Sequence, residues 1–329
     1  MNILLINPAQ VHTHTGNRTT AERWARLLGE LGHQVEVAHD WSGSSQTMQR
    51  DLLITLHARK SFPTLERFHR AYPDIPVIVA LTGTDVYQDI ESSPEAKQSL
   101  EIASRLIVLQ PLAVDALPAR FRSRCRVIYQ SARTAGPPDR PDGNVFCICV
   151  LAHLRAVKDP LRAAYAARDL PTDSRVQVVH AGGVLDADLA REAEAEQRRN
   201  PRYVWLGDFS HERALRLLAG SHLLALTSVL EGGANVVSEA IAAGVPVLST
   251  LIPGSIGILG PDYPGYFPVA DTRALCRSMQ QAETNSAFYG ELKQRVSDLK
   301  PLVDPRSERE SWQALLAEVS RSSVTVSSD

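Results

Sequence analysis

Short apolar runs alternate with amphipathic segments of helical length along this 329-residue chain, and the alternation restarts after a proline- and glycine-rich break. In the first half the runs are "NILLI", "QVEVAH", "DLLITLH", "IPVIVALTG", "SRLIVLQ" and "CRVIYQS". Between the first two lies a helix in which Ala21, Trp24, Ala25, Leu28 and Leu31 recur at three- and four-residue intervals, with Thr19 and Glu22 forming a capping box at its start. Continuous apolar runs joined by such helices describe a parallel sheet covered on both faces. The break, "SARTAGPPDRPDGN", has no periodicity and reads as an interdomain linker. Beyond it come "VFCICVLAHL", a helix through "DPLRAAYAARDL", "RVQVVHAGG", a charged helix over 186–200, "RYVWLG", "SHLLALTS" and "PVLST". The expected fold is α/β, two tandem Rossmann-like doubly wound domains with a cleft between them. The expected boundaries are 1–132, a linker over 133–143, 144–303, and a closing helix with a frayed tail, "SRSSVTVSSD", over 304–329.

Composition narrows the function classes. Apolar residues make up 44% and charged residues 22%, which excludes a disordered chain, and a net charge of -2 gives no general attraction to nucleic acid. The cysteines, Cys125, Cys147, Cys149 and Cys276, form no Cys-x-x-Cys pair; Cys147 and Cys149 share a face of an apolar run and read as packed thiols in a reducing compartment. No stretch approaches the roughly 18 consecutive apolar residues of a membrane span, and "MNILLINPAQ" is too short and too weakly basic for a signal peptide. The expectation is a cytoplasmic protein with no nucleic-acid or membrane partner.

The densest functional signal is "SVLEGGANVVSEAIAAGVPVLST", residues 228–250. Asn235 suits an N-cap and Gly244 a C-terminal stop, so a helix is expected over 236–243 with Val236, Val237, Ala240 and Ile241 on one face and Glu239 on its edge. Gly232 and Gly233 allow a ligand close to the backbone, and the amides at the helix start favour an anion. A phosphate fits there, with Glu239 accepting two neighbouring hydroxyls such as those of a ribose. The competing reading is a plain helix–strand connection bearing two surface glutamates. Earlier, "LAHLRAVKDP" sets Arg155 and Lys158 three residues apart at a strand's carboxyl end, where they suit a diphosphate clamp or form an exposed basic loop.

Taken together, Arg155, Lys158, Glu231, Gly232, Gly233, Glu239 and the trailing "AAGVP" resemble the donor site of retaining GT-B glycosyltransferases. The resemblance covers the second domain. It implies a nucleoside diphosphate sugar whose diphosphate is held by Arg155 and Lys158, its ribose by Glu239, and its sugar by Glu231 with the amides of Gly232, Gly233, Ala234 and Asn235. The chain departs from the pattern at Gly233 and Ala234, where most members carry an aromatic residue and a glycine.

The first domain is then expected to carry the acceptor. "NPAQVHTHTGNR" presents His12, His14, Gly16, Asn17 and Arg18; "LHARKS" presents His57, Arg59 and Lys60; "LTGTDVY" presents Thr82, Gly83, Thr84 and Asp85. These are anion-binding groups, with Arg18, Lys60 and Thr84 as the foremost holders, and Asp85 reads either as a ligand-orienting acid or as a turn acid. Arg67 and Arg70 read as a solvated helix face. His12 and His14 have no nearby cysteine or carboxylate, so no metal is expected. Over nearly the full length, "NPAQVHTHTGNRTTAERWA", "LHARKS", "ALTGTDVY", "LRAVKDP" and "EGGANVVSEA" resemble the selenosugar synthases of selenoneine biosynthesis. That resemblance implies transfer of a sugar, typically N-acetylglucosamine, from a UDP-sugar to selenophosphate, with release of UDP and phosphate and a functional link to the other enzymes of that pathway. Competing readings are a GT-B transferase with a hydroxyl acceptor and a non-catalytic nucleotide-sugar sensor. A nicotinamide-dependent oxidoreductase is disfavoured: Asp40 stands at a suitable place, but Gly-x-Gly-x-x-Gly is missing after the first strand.

Overall fold

The computed structural model describes residues 1–8, 16–43, 49–83, 85–134, 136–139 and 144–326. The runs of the first half become β1 (Asn2–Ile6), β2 (Gln34–Ala38), β3 (Leu52–Leu56), β4 (Val77–Leu81), β5 (Arg105–Val108) and β6 (Cys125–Val127). They pair in parallel in the order β2-β1-β3-β4-β5-β6. The second half gives β7 (Phe146–Leu151), β8 (Val176–Ala181), β9 (Tyr203–Trp205), β10 (Leu223–Leu226), β11 (Val247–Thr250) and β12 (Tyr266–Phe267). Their order is β12-β11-β10-β7-β8-β9, also parallel. Strand order reverses between β1 and β3 in one sheet and between β7 and β10 in the other, and ligands of such sheets bind in the crevice at that reversal.

The apolar runs form central strands because both faces are covered. Along β1, Leu4 and Ile6 enter one core layer with Leu65 and Phe68, whereas Ile3 and Leu5 enter the opposite layer with Trp24 and Trp312. The chain divides into two compact units, Met1–Gln130 together with the residues from Pro305 onward, and Ser131–Asp304. The closing helix therefore belongs to the first unit. Trp312, Leu315, Leu316 and Val319 face its core, and Trp312 meets Trp24 edge-on at 4.9 Å. Glu308, 2% exposed, fixes the register by accepting from Arg23 Nε at 3.0 Å and Trp24 Nε1 at 2.7 Å.

Two expectations are corrected. Helix Gly16–Glu30 starts ahead of Thr19, so Thr19 and Glu22 form no capping box; Glu22 instead pairs with Arg18, one turn back, at 2.7 Å. Helix Pro305–Val326 also extends through residues 320–326 of the segment expected to fray, continuing past the buried Val319. Cys147 and Cys149 are buried thiols pushed above their ordinary range by desolvation. Among the described residues no helix is long and apolar enough to cross a membrane.

Candidate active site

At the reversal in the second sheet, the loops leaving β7 and β10 are tied together. Thr227 Oγ1 donates to Lys158 O at 3.1 Å and Asp159 O at 2.9 Å, and Val229 N donates to Val157 O at 2.9 Å. The β7 loop makes a 3₁₀ turn over Ala156–Lys158, ended by Asp159 at φ 43°, a left-handed conformation that Asp tolerates better than most residues. Lys158 Nζ thereby reaches Glu231 Oε1 at 2.5 Å, and Ser228 Oγ donates to the same oxygen at 2.6 Å. The Glu231 carboxyl, with its side chain 11% exposed, is thus held by one cation and one hydroxyl. Sequence spacing separated these two residues into different roles; the structure joins them. Arg155 is exposed at the head of the turn, and its guanidinium makes no hydrogen bond or ion pair among the described residues.

Gly232, Gly233 and Ala234 are buried and lead into helix Asn235–Ala243. The chain enters this helix one residue earlier than expected: Ala234 takes the cap position, and Asn235 is the first helical residue and not the N-cap. No side chain of the cap accepts from the first-turn amides. Gly244 ends the helix at φ 72°, as its lack of a Cβ allows. Val237, Ala240 and Ile241 are buried as the periodicity required, and Ser238 is buried with them. Glu239 lies beside that face, its side chain 12% exposed, and accepts from His211 Nε2 at 2.7 Å. His211 opens helix His211–Gly220 after β9 and was not singled out in the sequence. Its only signal there was its place directly after "LGDFS".

Two glycines and a histidine brace these loops. A Cβ at Gly182 would lie 2.9 Å from His153 N and closer still to the Ala152 carbonyl, so the β8 loop lies against the end of β7 only without one. His180 donates from Nε2 to Ala152 O at 2.7 Å and accepts at Nδ1 from Tyr203 OH at 2.8 Å. Burial depresses its pKa to about 4, which keeps the imidazole neutral and this hydrogen-bonding pattern in place. From the β11 side, Gly254 brings helix Pro253–Leu259 against Glu231: a Cβ there would lie 2.8 Å from the Glu231 carbonyl carbon.

In the first unit the expected acceptor groups fall in different settings. Gly16, Asn17 and Arg18 form the first turn of helix Gly16–Glu30. His57, at φ 73° and almost wholly buried, follows β3; burial pushes its pKa down against the opposing pull of Asp85. Asp85 is 0% exposed, and its oxygens accept from Gly83 N at 2.8 Å and Ala58 N at 3.0 Å. It is the turn acid that ties the β3 loop to the β4 loop, not a group displayed to a ligand. Thr82 Oγ1, in the same loop, is buried with no hydrogen-bond partner among the described residues, and Lys60 is exposed. His12, His14 and Thr84 lie outside the described residues.

Residues 137–298 match the family described as glycosyl transferases group 1. Among solved structures, the fold resembles Anabaena Alr3699/HepE in complex with UDP-glucose at a TM-score of 0.79, with 15% identity over 97% of this chain and 100% of that one. It also resembles sucrose-phosphate synthase from Thermosynechococcus elongatus at 0.78, with 15% identity over 98% and 99% of the two chains. An E. coli trehalose-6-phosphate structure bound with UDP-2-fluoro glucose aligns at 0.73, with 11% identity over 97% and 99%. At these identities the likeness fixes the fold, two Rossmann-like units of the GT-B type. Residues 137–298 are thus similar to the glycosyl transferases group 1 family, within a chain whose two Rossmann-like units share the GT-B fold.

Proposed function

We propose that this protein is a metal-independent glycosyltransferase that takes a sugar, N-acetylglucosamine foremost, from a UDP-sugar bound in the second unit. The observation that carries this reading is the Lys158–Glu231 pair at the β7/β10 reversal, with Glu239 on the helix that follows. Bound UDP-sugar places its diphosphate by Lys158 and Arg155, its ribose hydroxyls on Glu239 and its sugar on Glu231. Lys158 then has two anionic neighbours, and its charge opposes the charge that grows on the departing diphosphate as the anomeric bond breaks. Anabaena Alr3699/HepE, in complex with UDP or UDP-glucose, supports the donor class.

The acceptor in this reading is selenophosphate, bound by the first unit. Its selenium attacks the anomeric carbon and UDP leaves with the bonding electrons; water then attacks phosphorus, the Se–P bond breaks, and phosphate and the selenosugar's selenol are the products. The five segments that resemble selenosugar synthases support this choice. A hydroxyl acceptor needs a base, whereas an anionic selenium does not. His57, 3.9 Å from Asp85 and 3.7 Å from Asp89, is 3% exposed and serves loop geometry more readily than proton transfer. The test is mass spectrometry of the protein with UDP-N-acetylglucosamine and fresh selenophosphate, without added metal. A product with the selenium isotope pattern appearing together with UDP is the expected result. UDP release onto hydroxyl acceptors alone would move the chain to the ordinary GT-B reading, and no UDP release with any acceptor would defeat the transferase reading.

A further inference from the structure

A cavity of about 360 Å³ opens at the carboxyl edge of the first sheet, lined by Pro8, His39, Asp40, Lys60, Pro63, Thr64 and Arg67. Its walls come from the ends of β1 and β2 and from helix Phe62–Ala71 after β3, which puts it beside the β1/β3 reversal. Within it, Thr64 Oγ1 and Arg67 Nη2 both donate to one atom, Asp40 Oδ1. Arg67 is steadied there by contacts to Trp41 O at 3.3 Å and Thr64 Oγ1 at 3.4 Å. A hydroxyl and a guanidinium converging on a single oxygen are the donor set of an oxyanion site, and the oxygen now in it belongs to the protein itself. Asp40 and Arg67 are both exposed, at 54% and 43%, so the carboxylate leaves the seat without unpacking the core. Lys60 and His39 share the cavity, and His39 donates from Nδ1 to Asn7 O at 3.2 Å.

We infer that this cavity is a binding site for a phosphate-class oxyanion, and that Asp40 occupies its Thr64–Arg67 seat until the ligand displaces it. The inference deepens the acceptor half of the proposed function and rests on that reading only for the ligand's role as acceptor. Arg67, which the sequence presented as a solvated helix residue, becomes a specificity-determining one. With Asp40 turned away, Lys60 and Arg67 face the anion together, and a neutral sugar hydroxyl gains less from that pair than a phosphate does.

The experiment is calorimetric titration of the full chain with inorganic phosphate, in the absence of UDP-sugar, so that its outcome is independent of donor chemistry. Asp40→Asn removes the internal competitor and is expected to tighten phosphate binding several-fold, roughly three- to tenfold; Arg67→Ala is expected to weaken it about tenfold. Circular dichroism melts establish that both variants fold. A purely structural Asp40–Arg67 pair gives equal phosphate affinity in wild type and Asp40→Asn, which overturns the proposal. So does phosphate binding that survives Arg67→Ala but is lost in Lys158→Ala, because the anion then sits in the second unit. No phosphate binding even by Asp40→Asn overturns it as well. Failure of the donor reading shows separately, as absence of UDP-sugar binding.

Discussion

Replacing Gly254 by alanine perturbs the candidate site from a residue that makes no contact through a side chain of its own. The new Cβ would lie 2.8 Å from the carbonyl carbon of Glu231 and 3.0 Å from its Cβ, and nearer still to its carbonyl oxygen. Carbon atoms pack comfortably at about 3.5–4.0 Å, so roughly 0.5–1 Å must be found by moving one backbone off the other. Both segments are constrained: Gly254 lies in helix Pro253–Leu259, and Glu231 is held by Lys158 at 2.5 Å and Ser228 at 2.6 Å. Overpacking of this kind costs about 1–3 kcal/mol, which lowers the melting temperature by roughly 2–10 °C for a unit of this size. A shift of about 1 Å at a catalytic carboxylate lowers turnover on the order of 10²-fold. The assay is UDP release from UDP-N-acetylglucosamine, beside a thermal melt. Gly290→Ala is the control: nothing lies within 4 Å of its Cβ position, and it sits inside helix Ser286–Asp298, so alanine leaves turnover unchanged and raises stability slightly. If Gly254→Ala melts within about 1 °C of wild type and turns over within about twofold, the close approach does not position Glu231 and the reasoning fails.

Lys158→Ala should lower turnover about 10²–10³-fold, with a smaller effect on UDP binding; unchanged turnover would remove Lys158 from the chemistry. Glu239→Ala should raise the Kd for UDP about tenfold while leaving kcat nearly intact, and His211→Ala should do the same more weakly; equal losses in kcat would instead place Glu239 at the reacting centre. His180 titrates from its ordinary 6.5 in the unfolded chain to about 4 in the folded one. The unfolded chain therefore binds a proton first, and stability falls as pH drops through that window, by about 3 kcal/mol; denaturant titrations at pH 7 and 4.5 should show the slope, and His180→Asn should flatten it. Glu308→Ala leaves Arg23 buried without its carboxylate and should destabilise the first unit by about 3–5 kcal/mol, read by equilibrium unfolding.

Strand content was legible because each central strand must be apolar on both faces, which leaves a continuous run that no surface segment mimics. β12 was missed for the complementary reason: Tyr266–Phe267 is too short to carry a pattern. The donor motif was legible because Glu231, Gly232, Gly233 and Glu239 lie within one loop and one helix. Its partners were not. Thr227, His211, His180 and Gly254 matter through the side-by-side order of β7 to β11, which local periodicity does not specify. Asp85 marks the same boundary in the first unit. An acid after a strand is equally a ligand group or a turn brace in sequence, and only its burial and two backbone donors decide.

The return of helix Pro305–Val326 to the first unit sets an order of assembly. A ribosome delivers β1 to β6 before the second unit, yet one core layer of that sheet, with Trp24 at its centre, waits for Trp312 and Glu308, which follow the second unit in sequence. The second unit, contiguous in sequence, has every strand it needs before then. The first unit, begun before the second, is thus completed after it, and during synthesis it exposes an apolar layer that chaperones are suited to shield.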